Sequence, residues 1–144
     1  FRYCSSLTTA QALPATTLAN SCYDSMFQGC SSLTTAPALP ATILTLRCYY
    51  GMFANCESLI NAPELLAPKL VQQCDVSIFR GCINLKYVKM MASEKDPLSL
   101  NDWLHNVSST GTIVKHPLMD LPISTSENGW SGIPSGWTVQ NATS

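Results

Sequence analysis

Charge is scarce in this chain. Asp, Glu, Lys and Arg supply only 12% of its 144 residues, and the formal net charge is −1. That share is about half the globular norm. No basic stripe is present to neutralise nucleic-acid phosphates, and no polybasic patch to meet an anionic membrane. Long apolar runs are missing too, none approaching the roughly 20 residues of a membrane span. No GxxxxGK[ST] or GxGxxG loop cradles phosphate, and no G-x-S-x-G elbow presents a nucleophile. There is no CxxC pair and neither histidine lies in the first 91 residues, so zinc is not expected. Glu57, Glu64 and Asp75 fall on unrelated positions and form no acid/base pair. No catalytic residue, metal or cofactor is expected.

What is present is a repeat. A 26-residue unit opens at Cys4, Cys30 and Cys56, and a further unit begins at Cys82. Periods of this length mean stacked units, each burying a face that only its neighbours can cover. Leu7, Leu33, Leu59 and Leu85 make one inward column; Ala10, Ala36, Ala62 and Val88 make a second. Leu13, Leu39, Leu65 and Met91 make a third, and Leu18, Leu44 and Leu70 a fourth. Met26, Met52 and Ile78 stand beside Phe1, Phe27, Phe53 and Phe79.

Within a unit, Leu-Thr-Thr-Ala predicts a short strand. Pro37 and Pro63 end its pairing because they lack the N–H. Pro14 and Pro40 turn the chain away. The return segment, for example 44–53, carries Leu44, Cys48, Met52 and Phe53, a spacing that predicts a helical turn or two. Gly29, Asn55 and Gly81 then occupy positions that favour a left-handed residue at a helix end. The expected fold is α/β: a right-handed leucine-rich-repeat solenoid of short parallel strands and short helices, with a small mixed α/β C-terminal cap. Residues 1–91 form the repeats and 92–144 the capping segment.

The pattern C-x-S-L-T-T-A-P-x-L-P-A-T-x-L, followed by C-Y-x-x-M-F-x-G-C, resembles the BspA-like bacterial leucine-rich repeats. The likeness covers residues 1–91 and weakens at Leu66, Pro68 and Asp75 of the third unit. It implies a bacterial, secreted, cell-surface protein that binds a protein or host-matrix partner without catalysis. Phe1 falls in mid-repeat, so a longer array is expected, with any targeting or anchoring segment upstream.

All seven cysteines lie on two columns, Cys4, Cys30, Cys56 and Cys82 on one, Cys22, Cys48 and Cys74 on the other. Two arrangements fit. Cys22–Cys30, Cys48–Cys56 and Cys74–Cys82 could be disulfides, leaving Cys4 over, as an oxidising surface would allow. Alternatively each column is a ladder of small buried thiols, since stacking already fastens each unit to its neighbours.

Beyond Met91 the period stops. SEKDP (93–97) reads as a boundary. SLNDWLHNV predicts a helix capped by Ser99 or Asn101, with Leu100, Trp103, Leu104 and Val107 on one face. Gly111 to Lys115 and Gly136 to Val139 predict strands. Trp103, Trp130 and Trp137 are expected to cover the open end of the stack. WLHNVSSTGTIVK and GWSGIPSGWTV also resemble the segment that follows such repeats in similar proteins. Asn106 and Asn141 open glycosylation sequons that a bacterial source would leave idle.

Chemistry has few footholds. His105 near Asp102 reads as a helix-surface residue, and His116 has no role. The outward strand positions are the better binding surface: Thr8, Thr34, Ile60 and Lys86 in one row, Thr9, Thr35, Asn61 and Tyr87 in the next. The expected partner site is Thr8, Thr9, Thr34, Thr35, Asn61, Lys86 and Tyr87, facing a protein or extracellular-matrix ligand. A row of threonines also fits a merely soluble strand face. Two other functions fit the sequence: a structural stalk or spacer within a larger surface protein, and a glycan-binding module using Tyr49, Tyr50 or Trp130.

Overall fold

A computed structural model describes residues 1–143. Its five strands are β1 (Lys69–Leu70), β2 (Tyr87–Met90), β3 (Glu94–Lys95), β4 (Gly111–Lys115) and β5 (Trp137–Asn141). A three-residue 3-10 turn, Ser126–Asn128, is the one helical element among the described residues. All pairing is parallel, β1 with β3 in one sheet and β2-β4-β5 in the other. Earlier units contribute single rungs, Thr9 to Thr35 and Asn61 to Tyr87.

The expected α/β solenoid with short helices is therefore not what the chain forms. Neither the return segments nor the SLNDWLHNV stretch is helical; both are continuous turns. The reason lies in the backbone. Ser21, Ser25 and Gly29 are left-handed, as are Arg47, Gly51 and Asn55, and then Gln73, Ser77 and Gly81. A left-handed residue at every fourth position is incompatible with an α-helix. Gly29, Asn55 and Gly81 do take the expected positive φ, but they close a run of turns and not a helix.

The amides of this run alternate. Those of Asp24, Met26, Gln28 and Cys30 donate within their own coil, three residues back, to Ser21, Tyr23, Ser25 and Phe27. Those of Ser21, Tyr23, Ser25, Phe27 and Gly29 donate to carbonyls of the next coil, Leu46, Cys48, Tyr50, Met52 and Ala54, at 2.8–3.1 Å. Every second peptide thus ties one coil to the next, and no buried amide in the run is stranded. Side chains add lacing across the same step: Thr34 Oγ1 donates to Thr8, Thr45 Oγ1 to Ala19, Ser58 Oγ to Ser31 and Asn84 Nδ2 to Glu57.

The inward columns fill the interior. Leu33, Leu59 and Leu85 have no exposed surface, nor have Phe27, Phe53 and Phe79. The phenyl rings stack at centroid spacings of 5.6 and 5.9 Å. One column differs from expectation. Leu65 pairs with Met90, which is fully buried, and not with the half-buried Met91. Five residues, Asn61 to Leu65, lie opposite four, Tyr87 to Met90, so one residue is lost across from the buried Pro63, which can donate no rung.

With that residue dropped, the coil continues through the C-terminal segment. Asp75, Ser77, Phe79 and Gly81 donate to Ser99, Asn101, Trp103 and His105, the same ladder shortened by one. Asp102 and Asn106 are left-handed in their turn. Ser99 thus follows the Cys22, Cys48, Cys74 column, and Trp103 follows Met26, Met52 and Ile78. The β4 strand lies on the expected residues and adds the next rung, Tyr87 to Thr112; β5 adds another, Thr112 to Thr138. Asp102 donates to Gly129 in the last coil.

The tryptophans hold these final coils together. Trp103, fully buried, donates Nε1–H to Gly132 at 2.9 Å. Trp137 lies over Gly111, where a Cβ would stand 2.6 Å from its ring, and donates to Ser108 at 2.8 Å. They do not seal the end as expected: β5 is the outer strand of its sheet, and Val139 on it is 46% exposed.

Candidate functional site

The molecule presents two long polar faces, one of strand rungs and one of turns. On the strand face, Thr8, Thr9, Thr34, Thr35, Asn61 and Lys86 are exposed and Tyr87 is half-buried. The rungs fall in two stretches of the second row, Thr9–Thr35 in one and Asn61–Tyr87, Tyr87–Thr112 and Thr112–Thr138 in the other. Thr112 and Thr138 escaped the sequence reading because their signal is a step of 25 and then 26 residues from Tyr87, visible only once a lost residue is allowed. In the first row Thr34 spends its hydroxyl proton on Thr8, so part of that row serves the fold.

On the turn face, two clefts share Asn106 in their linings. One, of about 400 Å³, is lined by Ser25, Tyr50, Asn55, Ser77 and Arg80 among others. The other, of about 380 Å³, is lined by His105, Trp130 and several serines, among them Ser108, Ser124 and Ser135. His105 is not the free surface residue the sequence suggested. Its ring stacks on Trp130 at 4.5 Å, nearly parallel. Its Nδ1 lies 3.3 Å from Asp102 Oδ1, too poorly aligned for a hydrogen bond. Arg80 Nη1 approaches the other carboxylate oxygen of Asp102 at 3.8 Å. At the opposite end, Arg47 bonds Asp24 at 3.0 Å and lays its guanidinium over Tyr50, 3.8 Å from the ring centre. Of the aromatics singled out for glycan contact, Tyr49 is only 3% exposed and belongs to the core; Tyr50 and Trp130 line the clefts.

The interior holds one ionisable anomaly. Asp75 follows Tyr23 and Tyr49 in their column and is succeeded by Leu100. It is buried, its Oδ1 has no partner, and burial pushes its carboxyl up to about 7. Leu39, Leu44, Leu65 and Leu70 wall the small void beside it, where the tyrosine of a neighbouring coil has no counterpart.

All seven cysteines are free, Cys4 and Cys22 exposed and the other five buried. Cys30, Cys56 and Cys82 each donate a thiol proton to the preceding coil, at Phe1, Phe27 and Phe53. Burial pushes the thiols of Cys48 and Cys56 up to about 12 and raises those of Cys74 and Cys82. Such thiols are packing groups, far from the thiolate that reacts. Among the described residues no group of His, Cys, Asp and Glu gathers where a metal could sit, and no helix is long and apolar enough to cross a membrane. Compared with known proteins, the chain matches no family model, no curated protein and no solved structure.

Proposed function

We propose that this chain is a non-enzymatic binding module of a bacterial cell surface, engaging a protein or host-matrix partner through its strand face. The observation that carries the reading is the strand row of Thr9, Thr35, Asn61, Tyr87, Thr112 and Thr138, exposed or half-buried, with backbone rungs joining Thr9 to Thr35 and Asn61 through Tyr87 and Thr112 to Thr138. Rigid rows of this kind bind by many weak contacts whose ordering cost is already met, and such contacts multiply with array length. The extracellular setting rests on the resemblance of the repeat residues to BspA-like repeats.

The test replaces Thr34, Thr35, Asn61 and Tyr87 together by alanine and measures binding to an array of immobilised matrix proteins. Loss of a binding signal seen with the unmodified chain supports the strand face. Undiminished binding removes it as the site. No binding by either chain favours a spacer.

A further inference from the structure

The turn face offers a second surface whose chemistry differs from that of the strand face. We propose that the two clefts from Tyr50 past Arg80 to the His105–Trp130 pair form a groove for a neutral oligosaccharide. A sugar presents flat C–H faces and a rim of hydroxyls that both donate and accept. It needs aromatic rings to lie on and small polar groups between them. The groove supplies both. Tyr50 and Trp130 stand towards its two ends, with Asn55, Ser77, Arg80 and Asn106 between. The two volumes, about 400 and 380 Å³, are each in the range of ligand sites.

Three features favour this occupant over others. Each aromatic is backed on one face by a flat polar group, Arg47 on Tyr50 and His105 on Trp130, which fixes the ring before a ligand arrives. The charges are internally matched, Arg47 with Asp24 and Arg80 with Asp102, so no unpaired charge calls for an ionic ligand. Aliphatic side chains in the lining are few, Ala54, Leu104, Val107 and Pro134, which leaves few holds for the apolar anchors of a peptide.

An independent observation points to Trp130. Its column holds Ser25, Gly51, Ser77 and Asp102, all left-handed, and Trp130 is left-handed as well, at φ 54°. A bulky residue in that conformation costs about 1–2 kcal/mol that a glycine would avoid. Strain of this order is retained where the side chain has a task.

Trp103 and Trp137 are buried and Trp130 is not, so added ligand reports through Trp130 fluorescence. The probes are cellohexaose, maltohexaose, laminarihexaose and chitohexaose, each titrated to about 10 mM, beyond the weak end of specific affinity. At least one should shift or quench the emission saturably. By calorimetry its affinity should fall at least about tenfold in Trp130→Ala and in Arg80→Ala, and stay unchanged in Leu118→Ala, an exposed position outside both the groove and the strand row. Arg80→Ala keeps the test sound if Trp130→Ala proves unstable, since the Arg80 side chain is half exposed. Silence with all four sugars, equal affinity in the Arg80 variant, or a comparable loss in Leu118→Ala would each overturn the groove.

Discussion

The three strict units and the C-terminal segment share a backbone while differing in almost every residue. In the first region the interior repeats Cys, Met and Phe at fixed spacing; in the second the same stations hold Ser99, Trp103 and Leu104. The lesson is that the coil is specified by its alternating amides and left-handed fourth residues, with the identity of the filler free to change. Small or polar residues recur at those fourth positions in both regions, as Ser77, Gly81, Asp102 and Asn106 do.

If the two regions are one cooperative body, damage to either should lower a single unfolding transition. Phe53→Ala removes the middle of the phenyl stack and should cost about 3–5 kcal/mol by urea denaturation. Leu104→Ala, on the same column one coil beyond Phe79, should cost about 2–4 kcal/mol. Two separate transitions in either variant would divide the molecule in two.

Asp75 sharpens the contrast, since the C-terminal coil places Leu100 where the third unit buries a carboxyl. The folded group titrates near 7, the unfolded one near 3.8. Between these values the folded state holds the extra proton, so stability falls as pH rises through that window, by up to about 4 kcal/mol. Denaturation midpoints at pH 4, 5, 6 and 8 should show the decline. Asp75→Leu should flatten it and should stabilise the protein at pH 8.

Gly111→Ala tests the tail alone. The new methyl would stand 2.6 Å from Trp137 and 2.7 Å from the Lys86 carbonyl. A loss of about 1–3 kcal/mol is expected, with a change in the tryptophan circular-dichroism signal. The smallest effect is at Gly81, whose φ of +78° an alanine bears poorly. Gly81→Ala should cost about 1–2 kcal/mol, whereas Asn55→Gly on the same column should be neutral or slightly stabilising. Equal costs for the two would contradict a left-handed requirement.

Much of the interior was legible in the sequence. Leu33, Leu59 and Leu85, with the three phenylalanines, were marked by period alone. The return path was not, because the four-residue spacing of Leu44, Cys48 and Met52 suits a helix and a four-residue turn ladder equally. What separates them is backbone handedness at Arg47 and Gln73, residue types with no strong left-handed preference. The continuation past Met91 was hidden by one lost residue opposite Pro63 and by the changed fillers. The strand row was read as far as Tyr87 and stopped two rungs short, at Thr112 and Thr138. The turn-face clefts lay beyond sequence reading, because His105, Arg80 and Tyr50 come together only when coils stack.

The alternating amides also impose a parity on the gene. Inserting one codon within residues 21–30 would hand every inward-bonding peptide the role of its outward-bonding neighbour, and the ladder would lose its match on both sides. Length can change cheaply only at corners such as Pro63, where the chain has already shed a residue. Duplicating a whole 26-residue block at the Asn55–Cys56 junction should be tolerated, so arrays of this type are set to grow by copying units and to drift only at their bends.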